Sequence, residues 1–116
     1  STQSSSDMEA LKEELKGIVI KMGADWCGPC QNIKSLCLAC FKHMPSNVIC
    51  FDIDVDDNMA LYSFFKAKRL LNGIPAIFCY ILNKNRVQDK WYIPDMSVLG
   101  SDPNQVKNLF KTVFES

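Results

Sequence analysis

A cysteine pair placed where a strand gives way to a helix constrains this chain more than any other feature. Gly17-Ile18-Val19-Ile20-Lys21-Met22-Gly23 is an apolar run of strand length, and Trp26-Cys27-Gly28-Pro29-Cys30 follows it at once. Beyond Cys30 the apolar residues recur at helical spacing, so the second cysteine falls one turn inside a helix. Two thiols at that spacing can close a small disulfide ring, stay open as a reactive dithiol, or supply half of a metal site. The amides and the positive dipole end of the helix favour an anion on the first sulfur, which lowers its pKa below the free value of about 8.5. Cys27 is therefore expected to be the nucleophile. Cys30, deeper in the helix, is expected to be less accessible and suited to resolving a mixed disulfide. Pro29 occupies the first helical turn, where a missing amide proton costs nothing.

The metal alternative needs further ligands, and Cys37 and Cys40 repeat the same spacing. On a continuous helix Cys27 and Cys40 would lie roughly 20 Å apart, at about 1.5 Å per residue. A zinc ion needs each sulfur at about 2.3 Å, so no metal is expected. The second pair is read as filling apolar helix positions, with a regulatory or redox role as the alternative.

A chain of 116 residues is enough for one core and not for two. Residues 1–6 read as a flexible tail and residues 7–116 as a single domain. The formal net charge is zero, so nothing in the bulk electrostatics points to nucleic acid or an anionic membrane. No apolar stretch reaches the roughly 18 residues of a membrane span, and the polar N-terminus does not read as a signal peptide. Of the six cysteines, Cys37, Cys40, Cys50 and Cys79 lie inside apolar runs. Reduced cysteines in a cytoplasmic protein behave in this way, as small hydrophobes, so a cytoplasmic location is expected.

Ser6 and Glu9 have capping-box spacing, and Met8, Leu11 and Leu15 give a helical stripe that runs to Lys16 and stops at Gly17. The first strand is expected over Ile18 to Met22, and one helix from about Cys27 to His43, stopped by Pro45. Ile33, Leu36, Cys37, Cys40 and Phe41 form its apolar face. Val48 to Asp54 alternates as a strand, with Ile49, Phe51, Ile53 and Val55 on one side and Val48, Cys50, Asp52 and Asp54 on the other. A helix over about Asp57 to Lys68 is expected to bury Met59, Leu61, Tyr62, Phe64 and Phe65. A strand over Ala76 to Leu82 and a turn at Asn83-Lys84-Asn85 follow. The last strand lies within Arg86 to Val98, where Pro94 and Asp95 interrupt it. Asp102 and Pro103 then open a terminal helix with Val106, Leu109, Phe110 and Val113 inward. Strands alternating with helices and closed by a hairpin predict an α/β domain, a mixed sheet between helices. His43, the only histidine, sits near a helix C-terminus, where the dipole favours it. Asp52, Asp54 and Asp56 have the opening spacing of a calcium loop, but Asp57 stands where glycine is needed and Ser63 where glutamate is needed.

The stretch Trp26-Cys27-Gly28-Pro29-Cys30 resembles the active site of the thioredoxin family. Gly73-Ile74-Pro75-Ala76, ahead of an apolar run, resembles that family's turn before a central strand. The resemblance covers about Met8 to the C-terminus and implies a thioredoxin-like fold. The family's usual first strand has no counterpart in residues 1–6, so a sheet of about four strands flanked by helices on both faces is expected. Ser35 stands where relatives often carry a proline, which predicts a straighter helix. The separation of Pro75 from Gly100 exceeds the family's hairpin, so Gln88 to Ser97, with Trp91, Tyr92 and Met96, is expected to protrude.

The resemblance also implies a function. Cys27 and Cys30 would be the redox-active dithiol of a protein-disulfide reductase, acting through a mixed disulfide, with Gly28 and Pro29 as the turn between them. The Ile74-Pro75 bond would be cis, and Gly73, Ile74, Pro75 and Gly100 would form the substrate groove, with Trp26 and Leu99 on its rim. Ala76 replaces a threonine common in the family. No tightly bound cofactor, no metal and a monomer are implied. The partners would be disulfide-containing proteins and an NADPH-linked flavoprotein reductase or another dithiol donor. Where the family usually buries an aspartate beneath the second cysteine, paired with a lysine on the next strand, this chain has Lys21 and Asp52, the charges exchanged. An ammonium accepts no proton; it favours a thiolate directly. Lys21 and Asp52 are therefore expected to tune the cysteine pKa. A second reading keeps the scaffold but makes it an interaction module, docking a partner through Gln88 to Ser97 under redox control.

Overall fold

A seven-residue apolar run flanked by strands on both sides makes a central strand, and Gly17–Gly23 (β1) is that strand, with Ile18 and Ile20 half-buried and the other five residues buried. A computed structural model describes residues 15–82 and 88–116. Helices Gly28–Asn32 (α1) and Lys34–His43 (α2) follow β1, then strand Val48–Asp54 (β2), a 3-10 turn Val55–Asp57 and helix Met59–Ala67 (α3). Strand Ala76–Ile81 (β3), a 3-10 turn Gln88–Lys90, strand Met96–Leu99 (β4) and helix Pro103–Glu115 (α4) complete the described chain. The strands form one four-stranded mixed sheet in the order β2-β1-β3-β4. β1 runs parallel to β2, with Lys21 opposite Asp52, and antiparallel to β3, with Lys21 opposite Ile77.

The two faces of the sheet carry separate cores. Val19, Ile77, Cys79 and Val98 pack under Ile33 and Cys37 and under Val106, Leu109, Phe110 and Val113 of α4. Met22, Ala76, Phe78 and Tyr80 pack on the other side with Phe65 of α3, Leu71, Cys27 and Cys30. The four predicted inward residues of α4 are all buried, and Asp102 caps that helix by accepting the Asn104 N–H at 2.9 Å.

Several expectations are corrected. The helix predicted over Cys27 to His43 is two helices, broken at Ile33 (φ −111°, ψ 2°), although no proline stands at the break. Cys30 buries in one core, whereas Ile33 and Cys37 bury in the other, and a straight helix cannot point at both faces. Gly17 is already the first residue of β1, and a Cβ there would stand 2.8 Å from Val113 Cγ2. Phe51 is exposed on β2, which has no strand on its outer side among the described residues. α3 begins at Met59, itself exposed, because Asp54 accepts the Asp56 N–H and turns the chain into a 3-10 step first.

The segment after Gln88 is tied down rather than free. Trp91 stacks on Phe64 at 6.0 Å, Tyr80 Oη donates to the Tyr92 carbonyl at 2.7 Å, and Asp95 accepts the Ile81 N–H. Pro94 and Asp95 thus lead into β4, with the Asp95 carboxylate serving the backbone of β3. The helix expected over Ser6 to Lys16 falls, apart from Leu15 and Lys16, outside the described residues, as do the tail before it and the turn at Asn83-Lys84-Asn85. No helix among the described residues is long and apolar enough to cross a membrane.

Candidate active site

The end of β1 delivers the chain to α1 in an extended conformation, and that hand-over builds the site. Cys27 is the N-cap of α1 (φ −87°, ψ 109°), and Pro29 sits in the first turn. Cys27 Sγ accepts the Cys30 N–H at 3.2 Å, so the sulfur takes the place of the capping oxygen. Cys27 and Cys30 are joined as a disulfide, with their Cα atoms 5.2 Å apart. Cys27 is 5% exposed and Cys30 2%, a much smaller contrast than their different depths in the helix suggest.

Opposite the pair stands the Ile74-Pro75 turn, with its peptide bond cis. The Ile74 carbonyl oxygen lies 3.8 Å from Cys27 Sγ. Gly100 donates its N–H to the Pro75 carbonyl at 3.1 Å from a backbone at φ +130°, a region suited to glycine. Asn72, Gly73, Ile74, Pro75, Leu99 and Gly100 line an open groove of about 390 Å³. A groove of backbone beside a disulfide can align an extended chain by main-chain pairing.

Trp26 is exposed on the other rim, and its indole N–H donates to Asp56 Oδ2 at 2.8 Å. Sequence reasoning weighed Asp56 as part of a calcium-loop spacing and missed this contact. It also missed Gln31, whose side-chain amide donates to the carbonyls of Ala24 and Asp25, bracing the turn from within α1. Neither has a sequence signal, because both depend on how the 3-10 step and the helix start fold back toward Trp26.

Lys21 is buried, and its ammonium donates to Asp52 Oδ1 at 3.2 Å; the Asp52 side chain keeps 43% of its exposure. Both line a pocket of about 140 Å³ together with Cys30, Gly23, Asp25, Lys34 and Asp54. Cys37, Cys40, Cys50 and Cys79 are free thiols. Burial pushes Cys37 up to about 11, against which the Lys21 charge pulls it down, and burial pushes Cys50 up to about 11. Cys40 is also raised by burial. His43 ends α2, away from the Cys27–Cys30 pair. Among the described residues no three His, Cys, Asp or Glu side chains gather as a metal site.

The family model for thioredoxin matches residues 2–92. The chain belongs to the thioredoxin family. A thioredoxin from Geodia cydonium is 34% identical over 76 residues, which span 55% of this chain and 71% of that protein. Among solved structures, the germline-specific thioredoxin Deadhead of Drosophila melanogaster superposes with a TM-score of 0.67 at 22% identity, covering 96% of this chain and 91% of that one. Thioredoxin from Nicotiana alata gives 0.65 at 20% identity, covering 98% and 87%. These structural matches carry the fold, whereas the family match and the bonded Cys27–Cys30 pair carry the chemistry: thioredoxin membership supports a thiol-disulfide oxidoreductase.

Proposed function

We propose that this thioredoxin-family protein is a protein-disulfide reductase. The observation that carries the reading is the position of Cys27 Sγ, capping a helix N-terminus and facing the Ile74 carbonyl across the groove. In the reduced protein the Cys27 thiolate attacks one sulfur of a substrate disulfide, and the other leaves as a thiolate that takes up a proton. Cys30, after losing its proton, attacks Cys27 Sγ in the mixed disulfide. The second substrate thiol departs, and the Cys27–Cys30 disulfide seen in the structure remains. Two electrons have passed to the substrate. A flavoprotein reductase drawing on NADPH, or another dithiol, returns them.

Reduction of insulin disulfides, with Cys27→Ser as the control, tests this directly. Turnover by the parent protein and none by the variant is expected; a folded parent protein without turnover would sink the reading. In that event the interaction module becomes the better account, favoured by the exposure of Trp91 beside Phe64 and Tyr92.

A further inference from the structure

A lysine that is 95% hidden is costly to keep unless its charge is used, because burial penalises the ionised form. Lys21 projects from β1 toward the α2 side of the sheet, the side of Val19, and meets Asp52 across the parallel ladder. The position a Cβ on Gly23 would occupy is 3.3 Å from Cys30 Sγ and 3.7 Å from Lys21 Nζ, so the ammonium and the second sulfur flank one small space. Glycine at position 23 keeps that space clear. The pocket they share has room for several waters and so for a proton to leave a thiol.

The two ends of this ion pair are not equivalent. The ammonium is enclosed near the sulfur, whereas the carboxylate is nearly half exposed and screened by solvent. Asp25, Asp54 and Lys34 are the other charged residues on the pocket, contributed by the turn, the end of β2 and the start of α2. The Lys21 charge also reaches Cys37, seven residues beyond Cys30, where it offsets part of the effect of burial.

We propose that Lys21 is a positioning residue for the resolving thiol: its enclosed ammonium stabilises the Cys30 thiolate, and Asp52 limits that stabilisation from the solvent side. The inference rests on the reductase reading for the label "resolving", but not for the electrostatics. Because the thiolate belongs to the reduced protein, Lys21 makes the pair more oxidising and Asp52 makes it less so.

The test is the equilibrium of the Cys27–Cys30 pair with reduced and oxidised glutathione at pH 9, above the free thiol value of about 8.5, where the reduced protein carries the Cys30 thiolate. Lys21→Met is expected to shift the equilibrium about tenfold toward the disulfide, equivalent to about 30 mV lower potential. Asp52→Asn should shift it the opposite way by about threefold, the smaller effect of a screened charge. Lys21→Arg should keep the parent value within about twofold. In the reduced Cys27→Ser background, the pH at which Cys30 becomes alkylated should rise with Lys21→Met. A merely structural ion pair would lower stability in both variants without moving the potential in opposite directions. An unchanged potential in Lys21→Met, or shifts of the same sign in both, overturns the proposal. If Lys21→Met does not fold, Asp52→Asn decides alone, and a lower or unchanged potential overturns it. Shifts of the expected signs in a protein that leaves insulin untouched would keep this inference and remove the reductase reading.

Discussion

Two Cys-x-x-Cys pairs lie ten residues apart in this chain, and only one of them closes. Cys27 caps α1 from an extended backbone, and Cys30 meets it as a disulfide. Cys37 and Cys40 lie within α2 and are free. In a regular helix side chains three apart have Cβ atoms about 5–6 Å apart, whereas a disulfide needs about 3.5–4.5 Å. Extending the first residue out of the helix removes that obstacle. The lesson is that the spacing permits a redox pair, but the helix boundary makes one. The sharpest way to break this contrast is to remove one sulfur from each pair. Cys27→Ala should reduce disulfide turnover by about a thousandfold or more, since nucleophile and resolving thiol act as a unit. Cys37→Ala should leave it within about twofold, provided the protein stays folded. A folded Cys37→Ala protein without turnover would show that the second pair belongs to the reaction.

The pairs should also differ in reactivity. With Cys37 raised to about 11, only about one thiol in a thousand is ionised at pH 8, so mass-mapped alkylation of the reduced protein should label Cys27 at least about a hundredfold faster. Equal labelling would mean that Cys37 is neither buried nor protonated as described. The same shift predicts a dependence of stability on pH. Burial favours the neutral thiol, so the folded state holds the Cys37 proton more tightly than the unfolded chain, whose value is near 9.0. That contribution is complete below about pH 9 and is lost as pH rises toward about 11. It amounts to about 3 kcal/mol at most, and Cys37→Ala should lose correspondingly less stability over that interval in denaturant titrations.

The first pair was legible in the sequence because its chemistry is local: an apolar strand, a helix start and a proline in the first turn are all adjacent. The pairing of Lys21 with Asp52 was legible only through the resemblance to the family, whose buried pair occupies these positions; the parallel register of β1 and β2 sets the two residues opposite each other. The break at Ile33 was not, because it arises from two cores on opposite faces competing for one helix, and the residues of those cores come from β1, β3, α3 and α4. The exposure of Phe51 was not legible for a related reason. Alternation assigns a side chain to a face but does not say whether a helix covers that face at the sheet's edge. The tie between Asp95 and β3 was hidden for a third reason: Pro94 looks like an interruption until the carboxylate after it is seen to serve a neighbouring strand.

The smallest effect expected from the contrast concerns support rather than chemistry. The first pair is braced from outside, since the Trp26 indole N–H reaches Asp56 across 30 positions of sequence while most of the ring stays in solvent. A hydrogen bond to an exposed carboxylate contributes about 1 kcal/mol at most, and water competes for both partners. Asp56→Ala should therefore cost no more than about 1 kcal/mol of stability and change disulfide turnover by no more than about threefold. Trp26 should nonetheless gain freedom, readable as lower fluorescence anisotropy in a background where Trp91 is replaced by Phe. Loss of turnover approaching that of Cys27→Ala would mean that the helix boundary does not suffice to hold the pair in place, and that the rim beyond it is part of what separates the first Cys-x-x-Cys from the second.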